Sequence, residues 1–184
     1  NEAKKIIVEK HNGLFLHLLE DFEDRVKIFG THFATLDIRQ DSRVHQGIID
    51  DILTKKSGLE IEKISEEEKL NWLLNTDLVL DPNDFEGITK DTLENINNIK
   101  NIQKRNGERG MSRYIISNSD HIKEVLNVFA LFKLCGYQEE EINIDIVPLF
   151  ETMEGLDAGE NVMKELYNFP IYRRHVERRG NEQT

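Results

Sequence analysis

Apolar side chains recur every three or four positions near the start of the chain. This spacing predicts one amphipathic helix from about residue 10 to residue 29. Gly30 supplies a stop signal at its end. The apolar positions of this helix are Phe15, Leu18, Leu19, Phe22, Val26 and Phe29.

Three segments have the composition of β-strands. In "THFATLDIR" the apolar residues follow a period of about 2 instead of 3.6, which predicts a strand over residues 32–39. "MSRYIIS" and "INIDIVPLFET" are rich in Ile and Val, as buried parallel strands are, and predict strands over residues 112–117 and 142–150. The first strand would place His32, Ala34, Leu36 and Ile38 on one side and Phe33, Thr35, Asp37 and Arg39 on the other.

Helical patterns separate these strands. Ser65 with Glu68, and Asp157 with Glu160, have the spacing of capping boxes at helix starts. A seam of apolar residues predicts that the helix before the second strand packs on one side only. Alternating strands and helices indicate a helix-rich, parallel α/β fold. The helical segments are "RVHQGIIDDILTKKSGL", "ISEEEKLNWLLN", "DTLENINNIKNIQKRNG" with its seam at Leu93, Ile96, Ile99 and Ile102, "NSDHIKEVLNVFALFKLCG" ending at Gly136, and "LDAGENVMKELYN".

The amino-acid composition limits the kinds of molecule that the chain is expected to bind. With 35 acidic and 24 basic residues the net charge is −11, which repels nucleic acid and anionic lipid, so we expect neither as a partner. We interpret the basic stretch "YRRHVERR" as the final turns of a helix. No apolar run is long enough to cross a bilayer. The single cysteine, Cys135, cannot form an internal disulfide, which favours a reducing cytoplasm.

Several common sites have no support in the sequence. The six histidines never fall four residues apart, and one cysteine cannot complete a zinc cage. "DPNDFEGITKDT" begins like a calcium loop, but Phe85 takes a ligand position and Glu86 stands where Gly is required. The glycine-rich patterns of nucleotide-binding loops are absent from the sequence.

Charged residues at the predicted strand ends are the strongest candidates for function. Arg39 ends the first predicted strand, with Asp37 two positions earlier on the same face, and Glu151 ends the third. In parallel α/β folds, ligands bind at the carboxyl ends of the strands. A structural interpretation stays open for each: Arg39 and Asp37 could form an ion pair that closes a barrel layer, and Glu151 could cap the next loop or helix.

Three ordered motifs carry a resemblance to a known family. "FGTHFATLDIRQDSRVH" is similar to the phosphoenolpyruvate carboxylase segment with a strand, Asp-Ile-Arg-Gln, an acidic residue, Ser and then a His. "SRYIIS", followed by a helix with "EVL", resembles that family's next strand and helix, and "IVPLFETMEGL" resembles its Pro-Leu-Phe-Glu-Thr strand end. The family's basic residue before the His is Val44 here, so no role is carried over to Arg43.

The resemblance implies a (β/α)8 barrel enzyme, a carbon–carbon lyase that fixes carbon dioxide for the tricarboxylic acid cycle. It joins phosphoenolpyruvate and bicarbonate into oxaloacetate and phosphate with Mg2+ or Mn2+. Arg39 would be the catalytic, substrate-binding residue, because a guanidinium fork fits phosphate or carboxylate oxygens. Asp37 would orient that guanidinium from behind, and Glu151 would be the metal ligand. A homo-oligomer is also implied.

Members of that family are much longer than 184 residues. The chain starts with Asn1 rather than Met, and the motif expected to supply a second metal carboxylate would follow Thr184. We therefore expect residues 1–184 to be a single internal segment of the catalytic barrel, with a helical insert at residues 46–108. Such a segment would have about three parallel strands and no carboxylase activity by itself.

Two other classes of protein stay open. The chain could be a complete, non-catalytic α/β domain that binds an anionic metabolite through Arg39. It could instead be a helical interaction module, since most residues have helical patterns, although the acidic surface and the lack of a long heptad disfavour this.

Overall fold

The computed structural model describes residues 2–30 and 34–182. These form two compact units, the first extending to Thr35 and the second starting at Leu36. The first unit contains helices α1 (Glu2–His11) and α2 (Leu16–Phe29). The second contains β1 (Asp37–Asp41), α3 (Ser42–Lys56), α4 (Glu66–Asn75), α5 (Gly87–Asn106), β2 (Arg113–Ser117), α6 (Ile122–Leu134), β3 (Asp145–Pro148), α7 (Met153–Asn168) and α8 (Pro170–Arg178).

The first unit is a helical hairpin. The prediction of one helix starting near residue 10 is wrong there, because Asn12 and Gly13 adopt positive φ angles of 51° and 73° and turn the chain between two helices. Lys4 on α1 contacts Glu20 and Glu23 on α2 at 3.3 and 3.1 Å. The predicted end is confirmed, since the N–H of Gly30 donates to the carbonyl of Val26 after Phe29.

The second unit is built on a three-stranded parallel sheet in the order β1-β2-β3. The prediction of three parallel strands separated by helices is therefore confirmed, with shorter strands. The predicted residues 32 and 33 of the first strand lie outside the described residues. That strand also runs further than predicted, because Gln40 and Asp41 still pair with Ile116 and Ser117.

The helices cover one face of the sheet. Tyr114, Ile116 and Ile146 point into a core in which the apolar seam of α5 is also buried, as predicted. The alternate positions Arg39, Ile115 and Val147 are in register across the three strands and keep partial or full exposure. The other elements of the second unit thus leave the second face of the sheet open. The largest buried side chains are Tyr114, Tyr172, Phe85, Phe129 and Phe132.

Side-chain caps fix the starts of α4 and α7. The capping box at α4 is confirmed, since Ser65 Oγ accepts from the N–H of Glu68 and Glu68 accepts from that of Ser65. The box proposed for Asp157 and Glu160 is wrong. α7 begins at Met153, four residues before Asp157, where Thr152 Oγ1 accepts from the N–H of Gly155 at 2.9 Å. The pattern "ET" before an apolar residue carries the start signal that "LD" does not.

The basic stretch of the sequence lies on α8 and just after it, as predicted. Its arginines pair with carboxylates of the same unit: Arg174 and Arg178 with Glu139, and Arg179 with both Asp145 and Glu108. These contacts neutralise the one basic cluster of an otherwise acidic chain. In residues 2–30 and 34–182, helices long and apolar enough to span a bilayer do not occur.

Candidate active site at the carboxyl rim of the sheet

The three strands end together. Asp41 pairs in register with Ser117, and Ile116 with Pro148, so the segments after each strand emerge at one edge of the sheet. Their polar side chains form a connected group, here called the rim cluster. The rim cluster consists of Asp41, Arg43, Asn118 and Glu151.

Asp41 is the centre of the rim cluster. Its carboxylate caps α3 by accepting from the N–H of Arg43 at 2.9 Å. The same carboxylate accepts two hydrogen bonds from the Arg43 guanidinium, at 2.9 Å from Nε and 2.6 Å from Nη2. These bonds to Arg43 are the main cause that lowers the pKa of Asp41 far below its ordinary value. Asp41 is therefore a fixed anion at neutral pH.

Asn118 connects the three strand ends. Its side-chain amide donates to Asp41 Oδ2 at 2.7 Å, and its carbonyl accepts from the hydroxyl of Ser42 at 2.7 Å. Its backbone N–H donates to Glu151 Oε1 at 3.2 Å. The backbone of Asn118 has a φ of 53°, in the left-handed region that Asn tolerates better than most residues.

Arg43 extends into solvent beside this network. The exposed fraction of its side chain is 80%, although Asp41 holds its guanidinium in a bidentate contact. The pKa of Arg43 is raised, mainly by the hydrogen bonds to Asp41, and the charge of Glu151 also contributes. Arg43 and Glu151 thus belong to one electrostatic group on the rim.

A buried histidine lies behind the rim on the first turns of α3. His45 is fully buried, and its Nε2 lies 2.8 Å from the hydroxyl of Tyr114 on β2. Within the described residues, its Nδ1 has no hydrogen-bond partner. Burial lowers the pKa of His45 to about 4, so the ring is neutral at pH 7. The contact fastens α3 to the neighbouring strand.

The structure places the predicted residues Arg39 and Asp37 differently from the expectation. Arg39 lies in the middle of β1, not at its end, and it is exposed on the open face of the sheet. Asp37 is the first residue of β1, at the amino end, so the prediction that it meets Glu151 at one end of the sheet is wrong. Its carboxylate pairs with Arg113 at 3.6 Å.

Glu151 was predicted to end the third strand directly, but β3 stops at Pro148, so Glu151 lies in the segment beyond its carboxyl end, and its side chain is exposed. Oε1 accepts the one bond from Asn118, which leaves acceptor capacity on a hard carboxylate oxygen. Glu151 therefore fits a single position around Mg2+ or Mn2+. In the described part of the chain, no group of three or more His, Cys, Asp or Glu side chains could hold a metal ion.

Sequence reasoning missed Asp41 and Asn118. The signal for Asp41 was available, because "DSR" places an acidic N-cap before a helical run and two positions after Arg39 on the same strand face. The signal for Asn118 was weaker: an Asn directly after a buried strand is a good candidate for a left-handed turn. The contact of Arg43 with Asp41 could not be predicted from the sequence, because it depends on the backbone geometry at the start of α3.

A parallel sheet with helices on one face and a polar network at its carboxyl ends belongs to the α/β class in which ligands bind at that rim. The model of the family "Phosphoenolpyruvate carboxylase" matches residues 4–184. The chain belongs to this family.

Individual relatives agree with the family match. The chain is 30% identical over 183 residues to the phosphoenolpyruvate carboxylase of Nitrosomonas eutropha. The aligned region covers 94% of this chain and 20% of that protein. The chain is 31% identical over 176 residues to that of Nitrosomonas europaea, with 90% and 19% covered. The enzyme of Prochlorococcus marinus is 36% identical over 159 residues, with 81% and 16% covered. The chain spans about a fifth of the length of the first two relatives.

Proposed function

We propose that this chain is part of the catalytic barrel of a longer phosphoenolpyruvate carboxylase, a lyase that joins phosphoenolpyruvate and bicarbonate into oxaloacetate and phosphate. The observation that carries the proposal is the match to the family from residue 4 to residue 184. The open parallel sheet, with Arg39 on its free face and Glu151 at its rim, supports it. The match to about a fifth of each relative supports the interpretation as a segment.

Arg39 binds the substrate in this proposal. Phosphoenolpyruvate carries a phosphate and a carboxylate, and a guanidinium can donate two parallel hydrogen bonds to either group. Arg39 is free for this role, because the described residues offer it no ion-pair partner while Arg43 and Arg113 have Asp41 and Asp37. We do not assign Asp37 a role behind Arg39, since its carboxylate contacts Arg113.

Glu151 binds the metal ion in this proposal. A bound Mg2+ or Mn2+ would polarise the phosphate and stabilise the enolate that is left when bicarbonate attacks phosphorus. Glu151 contributes one carboxylate, and its orientation is set by the hydrogen bond from Asn118. The further carboxylate comes from the rest of the longer polypeptide.

The remaining features of the proposal concern the whole enzyme. The three strands are consecutive members of a (β/α)8 barrel, and residues 46–108 are an insert between the first two of them. The whole enzyme is a homo-oligomer. It is located in the cytoplasm, a reducing compartment in which a single cysteine, which cannot form an internal disulfide, is common. The 184-residue chain alone is inactive, because it has only part of each binding site.

The test is to measure incorporation of labelled bicarbonate into oxaloacetate by the full-length protein, with phosphoenolpyruvate and Mg2+ or Mn2+. We expect turnover that depends on all three components, and a loss of at least about 100-fold when Glu151→Gln removes the charge that holds the metal. Absence of turnover in the full-length protein would reject the proposed function. Full activity of the Glu151→Gln variant would reject the assignment of Glu151.

A further inference from the structure

We propose that Asn118 is a positioning residue that holds Glu151 in the orientation needed to bind the divalent metal ion. The inference rests on the proposed function and adds a residue that the family motifs did not indicate. Asn118 reaches Glu151 through its backbone N–H, at 3.2 Å from Oε1, and not through its side chain. The direction of that N–H depends on the backbone conformation of residue 118.

The backbone conformation of Asn118 is unusual and is held from two sides. Its φ of 53° lies in the left-handed region, where Asn and Gly are tolerated but other residues are strained by about 1 kcal/mol or more. The side-chain amide is fixed by Asp41, and the carbonyl is fixed by the hydroxyl of Ser42, each at 2.7 Å. Two hydrogen bonds, one to the end of β1 and one from the start of α3, therefore orient the residue that orients Glu151.

The segments after β2 and β3 are also packed closely enough to transmit this orientation. The N–H of Ser119 donates to the carbonyl of Leu149 at 3.3 Å. A Cβ atom added to Gly155, in the first turn of α7, would lie 3.4 Å from the carbonyl oxygen of Ser119. These contacts restrict movement of the segment after β3. A change in the backbone at residue 118 is therefore not compensated by a shift of the segment that carries Glu151.

Asp41 gives the network its fixed charge. Because Arg43 and Asn118 both donate to this carboxylate, its oxygens are engaged within the rim cluster. Asp41 thus serves as an anchor for Asn118, while Glu151 keeps an oxygen with free acceptor capacity. The two carboxylates of the rim cluster have different tasks, one structural and one available to a metal ion.

The experiment compares Asn118→Ala with Asn118→Gly in the full-length protein. Both substitutions remove the bond to Asp41, but only Ala is strained at a φ of 53°. We measure the Mn2+ dissociation constant by water proton relaxation, without substrate, and the KM for phosphoenolpyruvate at saturating metal. We expect Mn2+ to bind about 10-fold to 100-fold more weakly in the Ala variant and only about threefold more weakly in the Gly variant, with the KM unchanged.

The matched control is Asn181, which also has a left-handed backbone, with a φ of 60°, but lies beyond the end of α8. Asn181→Ala introduces the same kind of strain and should leave Mn2+ binding unchanged. If Asn118→Ala does not fold, Ser42→Ala tests the same point by removing the bond to the carbonyl of Asn118, and we expect weaker Mn2+ binding again.

Unchanged Mn2+ binding in Asn118→Ala, or in Ser42→Ala where that variant is used, would overturn the inference. Equal weakening in the Ala and Gly variants would also overturn it, because the backbone conformation would then have no special role. If the unmodified full-length protein binds no Mn2+, the proposed function fails and this inference fails with it. If the unmodified protein binds Mn2+ and only the Asn118 variants behave contrary to expectation, the proposed function stands.

Discussion

Arg39 is the residue on which substrate binding depends in our proposal, and its environment leaves the guanidinium available. It is exposed in the middle of β1, on the face of the sheet that the helices of the second unit do not cover. Lys at this position would keep the charge but would lose the planar fork that matches phosphate and carboxylate oxygens. The substitution therefore separates the geometry of the contact from its charge.

We predict that Arg39→Lys lowers kcat/KM for phosphoenolpyruvate in the full-length enzyme by about 10-fold to 1000-fold, the value of one bidentate charge-assisted contact. Steady-state kinetics at saturating bicarbonate and metal would measure this. Arg25→Lys on α2 is the control and should leave kcat/KM unchanged. An unaltered kcat/KM in Arg39→Lys would rule out the assignment of Arg39.

His45 gives the fold a dependence on pH. Burial lowers its pKa from 6.5 to about 4 in the folded chain, and His175 shows the same direction and value. The unfolded chain takes up protons as the pH falls below 6.5, while the folded chain resists until about 4. The free energy of unfolding is therefore highest above pH 6.5. It falls progressively as the pH is lowered towards 4, by about 3 kcal/mol for each histidine.

We predict that His45→Gln reduces the loss in the free energy of unfolding between pH 7 and pH 5, because Gln has no proton to gain. Urea denaturation of the 184-residue chain at the two pH values would measure this loss. His121→Gln is the control, since the side chain of His121 is 71% exposed. The same decline in His45→Gln as in the unmodified chain would contradict our interpretation of His45.

At the scale of single residues, the sequence predicted the position of a residue along the chain better than it predicted the contacts of that residue. Glu151 was correctly placed on the carboxyl side of the third strand, because a strand of Ile and Val followed by a charge has few alternatives. Asp37 was misplaced because two more residues join β1 than the period of two suggested. The Asn118 network joins residues 33 to 77 positions apart, and local patterns carry no information about such contacts.

At the scale of elements, side-chain caps determine where the helices start and contribute to their stability. α4 has a complete capping box formed by Ser65 and Glu68, and α3 has the Asp41 cap. We predict that Ser65→Ala lowers the free energy of unfolding by about 1 kcal/mol, because it leaves a backbone N–H of the first turn without its acceptor. Urea denaturation at pH 7 would measure the change.

Ser65→Asp is the matched comparison for this prediction. Asp is as good an N-cap as Ser, so it should retain most of the stability that Ala loses. Equal destabilisation by Ala and Asp would show that Ser65 acts through packing and not as a cap.

The element types followed from the sequence where periodicity was long and regular, as in α5 and α6. Element limits were less accurate. The "HNG" turn divides the first predicted helix because Asn12 and Gly13 accept a left-handed backbone, and Thr152 starts α7 before the position that the box spacing suggested. In the first case a local preference for a turn was stronger than the apolar spacing, and in the second the Thr152 cap was stronger than the box spacing of Asp157 and Glu160.

At the scale of the whole molecule, the described residues leave two edges of the sheet unpaired. Within the described residues β1 and β3 each pair only with β2, so each has one unpaired edge. Leu36, which is 61% exposed, lies directly before β1. Unpaired edges beside apolar side chains favour association with other chains.

We predict that the 184-residue chain self-associates, and that Leu36→Lys reduces this association, because a charge next to an edge strand disfavours pairing. Sedimentation velocity over a range of concentrations would measure it. Val79→Lys is the matched control, with an apolar side chain of similar exposure, 62%, away from the strands. Equal effects of the two substitutions would indicate general apolar contacts instead of edge pairing.

In our proposal the rim of this sheet supplies part, and only part, of a phosphoenolpyruvate carboxylase site. Glu151 is a single carboxylate on an exposed rim, and isolated charges in water bind metal ions weakly. The rest of the polypeptide would add the second carboxylate and exclude water. Metal affinity therefore reports directly on how the site is divided.

The decisive measurement is a Mn2+ titration, followed by water proton relaxation, of the full-length protein, its Glu151→Gln variant and the 184-residue chain. We predict tight binding by the full-length protein, a loss of at least about 10-fold in Glu151→Gln, and only weak binding by the 184-residue chain. Micromolar binding by the 184-residue chain, or unchanged binding in Glu151→Gln, would contradict this prediction.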